Sequence, residues 1–474
     1  MTKKFYLTTP VYYTNRAPHV GTAYTNVAAD VLARYHRQKD EKVFFLTGTD
    51  EHGEKIAQAA KEVDKLPREF VDKISDEFKK TWSVLNISYD KFIRTTDKEH
   101  EEGVRKFIFQ LKEKGVIYQD KYQALYCPNC EDFVQKKDLI DGKCPYHGKE
   151  PELVSETNYF FKLDKFLGPV KELIEKDEIE IRPGERKREV LSMINQDLGN
   201  LSISREKVSW GISLPFDEKQ TVYVWVDALL NYITAIGYGK DESNFNQYWP
   251  ADLHLIGKDI LKFHAIYWPA LLLATGLKPP KKIFIHGFLT INGQKISKSL
   301  GNTIDPIELS EKYGVDTVRY FLLREISFGQ DGDFSIKRLG ERHNADLANG
   351  LGNLVSRVLT LSERIKPEEK TRGELTPKID KAKKDYQKAI EGIKFSEALE
   401  AAWRLIGDCD NFVEKNKPWK LDKDSEQFKD VVSELLTAVK EIALLLKPFM
   451  PETAEKILKQ IKENKKAEAL FPRL

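Results

Sequence analysis

The chain has 474 residues, more than a single hydrophobic core organises, which predicts about three domains. Its 76 lysines and arginines nearly balance 74 aspartates and glutamates, so the net charge of +2 excludes a basic field over the whole protein. Any nucleic acid must then be bound by local patches. No apolar run approaches the length that spans a bilayer, and the N-terminus lacks the pattern of a secretory signal. We expect a cytoplasmic globular enzyme.

The first predicted elements, at 5–37, are a strand, a turn and an amphipathic helix. Pro18 precedes the helix, where its missing N–H costs least, and His19 and Gly21 stand at the helix start. A helix N-terminus favours negative charge and a glycine lets a ligand approach the backbone, so a polyphosphate could bind there. A capped helix with a surface histidine explains this stretch equally well.

Strands and helices continue to alternate after the first helix. A strand predicted at 42–46 leads into the polar cluster 47–53, at the strand end where open α/β sheets bind ligands. Asp50 in that cluster could hold an ammonium group, although capping of the next helix explains it comparably well. Helices predicted at 67–85 and 98–114 complete a pattern typical of a doubly wound parallel sheet.

An insertion from 116 to about 215 interrupts the alternation and carries three of the four cysteines. Cys127-x2-Cys130 is followed, after thirteen residues, by Cys144-x2-His147, a complete set of four ligands at zinc-knuckle spacing. Four protein ligands leave no open position for substrate, so the predicted Zn2+ is structural. The alternative is a reduced, metal-free cysteine cluster.

The alternation resumes after the insertion, so the sheet is predicted to be split into two halves. Residues 221–228 are predicted as a strand, and further strands are predicted at 253–259 and 282–285. A helix containing His264 lies between the last two strands. From its local sequence alone, Trp225 would be assigned to the core.

A basic pentad, Lys295-Ile296-Ser297-Lys298-Ser299, follows the last strand. Two lysines three residues apart in a loop can reach one anion, with serine hydroxyls as further donors. Taken alone, such a pentad is a solvated basic loop. Together with the first motif at 19–22, it resembles the pair of signature sequences of class I aminoacyl-tRNA synthetases, which bracket ATP from opposite halves of one parallel sheet.

Four strings, at 48–53, 223–228, 257–259 and 286–299, make the resemblance more specific. They resemble the methionyl-tRNA synthetases, most of all the bacterial form with one zinc knuckle, and the likeness covers essentially the whole chain. It implies activation of L-methionine with ATP and Mg2+ to methionyl-adenylate, release of pyrophosphate, and transfer to tRNA(Met). The methionine carboxylate is itself the nucleophile, so the protein supplies position and positive charge.

The resemblance also assigns roles to individual residues. It places at the methionine site Val11, Tyr13, Asp50, Trp225, Tyr232, Asp259 and His264. It assigns ATP binding to His19, Gly21, Thr22, Lys295, Ser297 and Lys298, with catalysis by His19, Lys295 and Lys298. Arg205 is expected next to the adenylate. Aromatic and imidazole edges suit a flexible apolar side chain with a polarisable sulfur.

Two positions depart from the family pattern. Thr22 stands where the first motif usually ends in a second histidine, and Ile296 stands where the second motif usually has methionine. The Ile296 exchange is apolar and should matter little. Thr22 removes a ring donor near the phosphates, and we expect activity to persist at a reduced adenylation rate.

The chain beyond Ser299 is predicted to be helical. An antiparallel bundle is expected from the predicted helices 336–365, 377–391, 396–416, 425–446 and 451–464. Asn353 and Arg357 share a helix face, and Trp419 lies in a loop. An aromatic with Arg and Asn can read an unstacked base, although a surface ion pair and an anchoring tryptophan explain them as well. By resemblance, these three residues read the first base of the CAU anticodon.

The predicted fold class is α/β, with a split Rossmann-like parallel-sheet catalytic domain, a zinc-knuckle insertion and an all-α helical bundle. In chain order the expected segments are the first catalytic half (1–115), the insertion (116–217), the second catalytic half (218–299), a stem-contact region (300–335) and the anticodon-binding bundle (336–474). The sequence stops without the dimerising domain that some relatives append, so we expect a monomer.

Three alternatives remain at this point. A class I synthetase for another amino acid is disfavoured because the isoleucine, valine and leucine enzymes carry a much larger insertion. A catalytically inactive tRNA-binding relative is supported only by Thr22. A nucleotidyltransferase that makes a small cofactor would share the core but would need no helical bundle of this length.

Overall fold

The structure, a computed structural model, describes residues 3–128, 131–134, 136, 139–145, 148–196, 198–291, 293–296, 302–365 and 373–474, with the backbone alone at Tyr122 and Lys295. The chain folds into two compact units. Unit 1 comprises Met1–Pro18, Lys39–Ser83 and Ser88–His286. Unit 2 comprises His19–Gln38, Val84–Ile87 and Gly287–Leu474.

Sixteen strands lie in the described residues. In chain order they are β1 (Lys4–Tyr13), β2 (Lys42–Asp50), β3 (Lys91–Arg94), β4 (Ile117–Cys127), β5 (Asp132–Val134), β6 (Glu152–Phe161), β7 (Glu180–Arg182), β8 (Leu201–Ser202), β9 (Ser204–Arg205), β10 (Ser213–Leu214), β11 (Asp217–Val222), β12 (Leu253–Gly257), β13 (Lys282–His286), β14 (Leu289–Ile291), β15 (Gln294–Lys295) and β16 (Gly332–Phe334).

Seventeen α-helices lie in the same part of the chain. They are α1 (Val20–Gln38), α2 (Glu54–Glu62), α3 (Pro67–Val84), α4 (Lys98–Glu113), α5 (Asp164–Glu175), α6 (Gly184–Ile194), α7 (Val224–Thr234), α8 (Glu242–Tyr248), α9 (Trp268–Thr275), α10 (Pro306–Tyr313), α11 (Val315–Arg324), α12 (Ile336–Arg342), α13 (Asn353–Ser362), α14 (Thr376–Glu391), α15 (Phe395–Asn416), α16 (Glu426–Leu446) and α17 (Pro451–Glu463). Short 3-10 turns cover Lys258–Ile260 and Pro418–Lys420, and π-helical segments cover Phe263–Tyr267 and His343–Gly352.

A six-stranded sheet of order β3-β2-β1-β12-β13-β7 forms the centre of unit 1. Every neighbouring pair in it is parallel. Its central strands carry side chains that are fully buried on both faces, among them Tyr6, Leu7, Phe45 and Leu46. Helices cover both faces of such a sheet, which is why its strands contain apolar runs rather than a strict alternation of apolar and polar residues. The predicted parallel α/β class, with strands from both sides of the insertion in one sheet, is confirmed.

Two parts of this sheet region differ from the sequence-based expectation. The predicted strand at 221–228 is wrong, because β11 ends at Val222 and helix α7 begins at Val224. Almost every residue of α7 is buried, so the helix has no polar face and its Val-Trp-Val start looks like a buried strand. Strand β7, which lies within the segment 116–217, joins the parallel sheet beside β13.

The rest of the 116–217 segment forms two antiparallel sheets in unit 1. One has the order β5-β4-β6-β8 and the other the order β10-β11-β9. Cys127 is the last residue of β4 and is buried, and Cys144, also buried, lies in the following turn region. Cys130 and His147 lie outside the described residues.

Unit 2 is largely helical and contains α1, α10–α17 and the small sheet β15-β14-β16. The predicted C-terminal helices are present, and the one predicted at 336–365 runs without a break through α12, the π-helical segment and α13 to Ser362. In the chain as described, no helix combines the length and the apolar character needed to cross a membrane.

Candidate functional site

The first motif forms the N-terminal turn of α1 in unit 2. The His19 Nδ1 atom accepts the backbone N–H of Gly21 at 3.1 Å. Because Nδ1 is the acceptor, the proton of a neutral His19 imidazole lies on Nε2, the nitrogen that could donate to a phosphate. A Cβ at position 21 would lie 2.9 Å from His19 Cε1, so a glycine there is what lets the ring fold over the helix end.

Thr22, the departure from the family motif, takes part in the same turn. Its hydroxyl donates to the His19 carbonyl oxygen at 2.7 Å and accepts the His19 backbone N–H at 3.0 Å. A threonine hydroxyl can do both at once, since it has one proton and two lone pairs. Thr22 therefore fixes the backbone of His19.

The second motif lies against the first within unit 2. A Cβ on Gly21 would lie 3.4 Å from Ile296 Cδ1, and the Val20 backbone N–H donates to the Ile304 carbonyl oxygen at 3.0 Å. Two stretches nearly three hundred residues apart are thus brought together. The backbone of Lys295 ends β15, whereas Ser297 and Lys298 lie outside the described residues.

In unit 1, the ends of β1 and β2 bring two predicted residues side by side. Tyr13 pairs with Asp50, and Val11 pairs with Gly48 after a register shift in β1. The Asp50 carbonyl oxygen accepts both the backbone N–H and the hydroxyl of Thr14, each at 3.0 Å. Asp50 therefore lies at the carboxyl edge of the parallel sheet, where ligands of this fold class bind.

The carboxyl group of Asp50 is buried and incompletely hydrogen-bonded. Its Oδ1 atom has no hydrogen-bond partner among the described residues, and the side chain accepts the backbone N–H of His52. Burial, followed by the charges of Asp227, Glu131 and Glu51, raises the pKa of Asp50 well above its ordinary value. A ligand cation at this carboxylate would satisfy Oδ1 and oppose all of these effects.

An aromatic pair in unit 1 involves the predicted Trp225. Its ring stacks on Phe263 at 4.0 Å between centroids and 12° between planes. Trp225 and Tyr13 are partly buried and pack against the same hydrophobic core. Phe263 was not predicted, although its position next to His264 on the same helical turn is a signal that could have found it.

Tyr232 and His264, also predicted, form one hydrogen-bonded pair. His264 Nδ1 donates to the Ile260 carbonyl oxygen at 2.9 Å, which leaves Nε2 to accept the Tyr232 hydroxyl at 2.7 Å. Burial lowers the pKa of His264 to about 4, so the ring is neutral at physiological pH. The pair is therefore an uncharged surface, suited to an apolar side chain.

Asp259 follows β12 directly, in the turn at Lys258–Ile260. A Cβ on Gly257 would lie 2.7 Å from Asp259 Oδ1, so the glycine permits the carboxylate to approach the strand end. The neighbouring strand β1 places Tyr13 at the same edge of the sheet. Asp50, the last residue of β2, and Asp259, just after β12, thus lie on strands that flank β1 on opposite sides.

Arg205 is buried and forms a two-pronged ion pair with Glu156. Its Nε and Nη2 atoms donate to the two carboxylate oxygens at 2.9 and 3.0 Å, and its guanidinium lies 4.2 Å from the centre of the Tyr126 ring. Its charge is therefore already balanced by a protein group. Whether it also meets the adenylate stays a prediction.

Glu131, a further residue at this edge, was missed from the sequence, and Gly53 of the cluster 47–53 was given no role of its own. The Tyr13 hydroxyl donates to Glu131, whose Oε1 accepts the Lys55 backbone N–H at 3.2 Å. A Cβ on Gly53 would lie 2.7 Å from both Glu131 Oε1 and the Tyr13 hydroxyl oxygen. Gly53 and Glu131 thus fix Tyr13, and Glu131 could have been suspected only from its place beside Cys130.

The three predicted anticodon residues lie in unit 2. The Arg357 guanidinium lies 5.9 Å from the centre of the Trp419 ring, and the tryptophan is 50% exposed. Arg357 donates to Glu414 at 2.8 Å. Asn353 is exposed one turn before Arg357 on α13. An exposed ring beside a guanidinium is a surface on which a base can stack.

Comparison with known proteins agrees with this arrangement. The family model described as tRNA synthetases class I (M) matches residues 5–150 and 134–359, and the model described as the anticodon-binding domain of tRNA ligase matches residues 374–473. The parallel sheet, the two signature motifs and the helical region are therefore those of a class I aminoacyl-tRNA synthetase.

Individual similar proteins identify the family within this class. The methionine–tRNA ligase of Thermotoga maritima is 43% identical over 98% of this chain and 76% of its own length, and that of Rickettsia conorii is 42% identical over 100% and 96%. Mycobacterium tuberculosis methionyl-tRNA synthetase in complex with methionyl-adenylate superposes with a TM-score of 0.94, at 38% identity and full coverage of both chains. The chain belongs to the methionine–tRNA ligase family.

Proposed function

We propose that this chain activates L-methionine with ATP to methionyl-adenylate and transfers the methionyl group to tRNA(Met). One observation carries the proposal most directly: the buried carboxyl group of Asp50, with Oδ1 unpartnered among the described residues. Unit 1 also holds the neutral Tyr232–His264 pair and the Trp225 ring. A carboxylate for an ammonium group and uncharged aromatic surfaces for a thioether together fit methionine.

In the proposed reaction, a methionine carboxylate oxygen forms a bond to the α-phosphorus of ATP, and the bond from that phosphorus to the bridging oxygen of pyrophosphate breaks. Asp50 holds the ammonium group, and Asp259 helps to hold the amino acid. His19 Nε2–H donates to the transferring phosphoryl group, and Gly21 and Thr22 keep that histidine in place. No protein group needs to remove a proton from the substrate.

The leaving phosphates require positive charge. Lys295 and Lys298, with the Ser297 hydroxyl, are proposed to neutralise them together with Mg2+, which supplies charge stabilisation when bound with ATP. Arg205 is proposed to lie near the adenylate. The support for the lysine and serine assignments is the closeness of the two motifs in unit 2, where a Cβ on Gly21 would lie 3.4 Å from Ile296 Cδ1. The assignment of Arg205 rests on the family resemblance.

A structural Zn2+ is proposed in the insertion, held by Cys127, Cys130, Cys144 and His147. Cys127 and Cys144 are each 1% exposed, which suits thiolate ligands of a closed site. The ion would link the end of β4, which carries Cys127, to the turn region that carries Cys144. Glu131, next to Cys130, contacts Tyr13, so the knuckle would also support the methionine site.

The segment roles complete the proposal. Segments 1–115 and 218–299 form the catalytic domain, 116–217 the insertion, 300–335 the stem-contact region and 336–474 the anticodon-binding bundle. Trp419 stacks on the first anticodon base, with Arg357 and Asn353 beside it. The monomeric state stays a prediction.

The test is aminoacylation of a tRNA(Met) transcript, with labelled methionine, beside a transcript whose first anticodon base is changed. We expect charging of the CAU transcript and a large loss for the altered one. Absence of charging of both transcripts by folded protein would contradict the proposal.

A further inference from the structure

A chain of hydrogen bonds through buried polar side chains lies in unit 1 beside the proposed methionine site. His52 Nδ1 and Asp227 Oδ2 are 2.7 Å apart, as are Asp227 Oδ1 and His100 Nε2. His100 Nδ1 lies 2.7 Å from the Thr234 hydroxyl. All four side chains are buried, with Asp227 and His100 at 1% exposure. A buried polar group without a hydrogen-bond partner destabilises the fold, whereas a fully hydrogen-bonded network rigidifies it. This network therefore fixes the relative positions of the four side chains.

The network connects the two structural elements that carry the methionine residues. His52 lies two positions after Asp50, and its backbone N–H donates to the Asp50 carboxyl group. Asp227 lies two positions after Trp225 on α7, the helix that also carries Tyr232. The His52–Asp227 bond therefore joins the Asp50 loop to the helix of Trp225 and Tyr232.

A second interaction of the same loop, the ion pair between Glu51 and Arg94, connects it to the sheet instead of to α7. Both carboxylate oxygens of Glu51 accept hydrogen bonds from Arg94, at 2.7 and 2.9 Å. Arg94 ends β3, so this pair fastens the loop to the sheet and leaves its spacing to α7 unspecified. Asp227 provides a direct hydrogen bond from α7 to this loop. A second, indirect link runs through Glu131, which accepts the Tyr223 hydroxyl and the Lys55 backbone N–H.

We propose that Asp227, held between His52 and His100, is a positioning residue. It sets the distance between Asp50 and the aromatic residues Trp225 and Tyr232 of α7, and its charge acts on the Asp50 carboxyl group. The inference rests on the proposed function and deepens it. Asp227 is not proposed to touch any substrate atom. It acts through His52 on one side and through α7 on the other.

The charges around Asp227 agree with this role. Burial disfavours its ionised form, but the imidazoles of His52 and His100 prevail and hold the pKa of Asp227 below its ordinary value. A carboxylate can only accept, so both ring nitrogens that face it carry protons. The negative charge of Asp227 in turn opposes ionisation of Asp50.

Other groups also face Asp50 and enter its titration. They are Glu51 and His52 on its own loop, Glu131 from the insertion, Tyr13 from β1 and Asp227 from α7. Of these, Asp227 is the largest charge effect on Asp50. Removing its charge should therefore move the acid limb of methionine binding to lower pH.

Two substitutions separate position from charge. Asp227→Ala removes both, and we expect the KM for methionine to rise about tenfold or more, as supporting-shell losses do, with the KM for ATP within about twofold. Asp227→Asn keeps the shape, so we expect a smaller rise, together with a shift of the kcat/KM(methionine) profile to lower pH. The assay is ATP–pyrophosphate exchange by the full chain without tRNA.

Asp252→Asn is the matched control. Asp252 also forms ion pairs in unit 1, with Lys281 at 2.7 Å and Lys4 at 3.6 Å, but it precedes β12 at the opposite end of the strand from Asp259. Its substitution should lower the unfolding temperature and leave both KM values unchanged. This control distinguishes a general loss of protein stability from a specific effect on methionine binding.

Each outcome of the exchange assay supports or overturns the proposed role of Asp227. Equal changes in both KM values, or no change in the KM for methionine with an unshifted pH profile, would overturn the role of Asp227. If neither Asp227 variant folds, His100→Asn, which removes one partner of Asp227, is judged by the same KM split. Absence of methionine-dependent exchange in the unsubstituted protein would instead refute the proposed function.

Discussion

The guanidinium of Arg319 and the carboxylate of Asp30 form an ion pair in the core of unit 2, with Nη2 and Oδ2 2.7 Å apart and both side chains at 0% exposure. The same guanidinium donates to the carbonyl oxygens of Leu85, Pro448 and Phe449. Asp30 lies on α1, the helix that begins at the first signature motif. One side chain of α11 thus fixes the nucleotide-motif helix to the turn between α16 and α17.

Arg319→Met should destabilise unit 2. The substitution removes the ion-pair partner Arg319 from the Asp30 carboxylate and leaves three carbonyl oxygens without their donor. Loss of one partner of a buried ion pair lowers the free energy of unfolding by about 3–5 kcal/mol. We expect a lower urea midpoint for the unfolding of this unit, followed by circular dichroism. Lys337→Met is the control, because its contact with Glu341, at 3.9 Å, is solvent-exposed and contributes at most about 1 kcal/mol. Equal midpoints for the two variants would contradict this reading.

Methionine binding should improve as the pH rises through the pKa of Asp50. The bound ammonium group requires the ionised carboxylate, whereas burial and neighbouring charges raise the pKa of Asp50 and favour its neutral form in the free protein. The KM for methionine should therefore rise on the acid side, above the ordinary carboxyl range, and binding should release a proton.

Asp50→Asn tests that assignment. The variant should show no such acid limb and a KM for methionine at least about 30-fold higher, since truncating a buried charge pair costs about 2 kcal/mol or more. Exchange rates measured from acid to neutral pH give both quantities. The same acid limb in Asp50→Asn would show that another group titrates.

Zinc should be present at nearly one ion per chain. Cys127→Ser and Cys144→Ser should each lose it, because a hydroxyl is a poor substitute for a thiolate in a closed zinc site. Cys409→Ala is the control, since Cys409 is fully buried in α15 within unit 2. Metal analysis of the folded variants gives the answer, and zinc-free folded protein would refute the site.

Trp419→Ala should weaken the binding of tRNA(Met) and leave amino-acid activation unchanged. Stacking of one base on an aromatic ring contributes about 1–3 kcal/mol, so the KM for tRNA should rise about five-fold or more. Trp419→Phe should retain much of the stacking contribution, so its KM for tRNA should rise less. Leu66→Ala, at another exposed apolar side chain, should change nothing. A loss of ATP–pyrophosphate exchange in Trp419→Ala would indicate a structural role instead.

Regular periodicity made much of the fold predictable. Helices α3 and α4 lie within a residue of their predicted limits, because both have one buried and one polar face. Helix α7 was missed because it is buried nearly all round, and β7, with three residues, is too short to leave a pattern. In both cases tertiary packing decided the structure.

The site was predictable only where residues sit in a motif. His19 and Asp50 stand at element ends, where local sequence indicates ligand binding. The partners of Asp227 are 127 and 175 residues away along the chain, so no window of sequence brings them together. Phe263 could have been suspected from its place beside His264, but its stacking on Trp225, 38 residues away along the chain, is visible only in the fold.

The most direct test of the central claim is ATP–pyrophosphate exchange with each standard amino acid in turn, in the absence of tRNA. We expect exchange that depends on methionine alone, and we expect it to proceed with Thr22 in place of the usual histidine. Exchange driven by a different amino acid, or none with any of them in folded, zinc-replete protein, would contradict this claim.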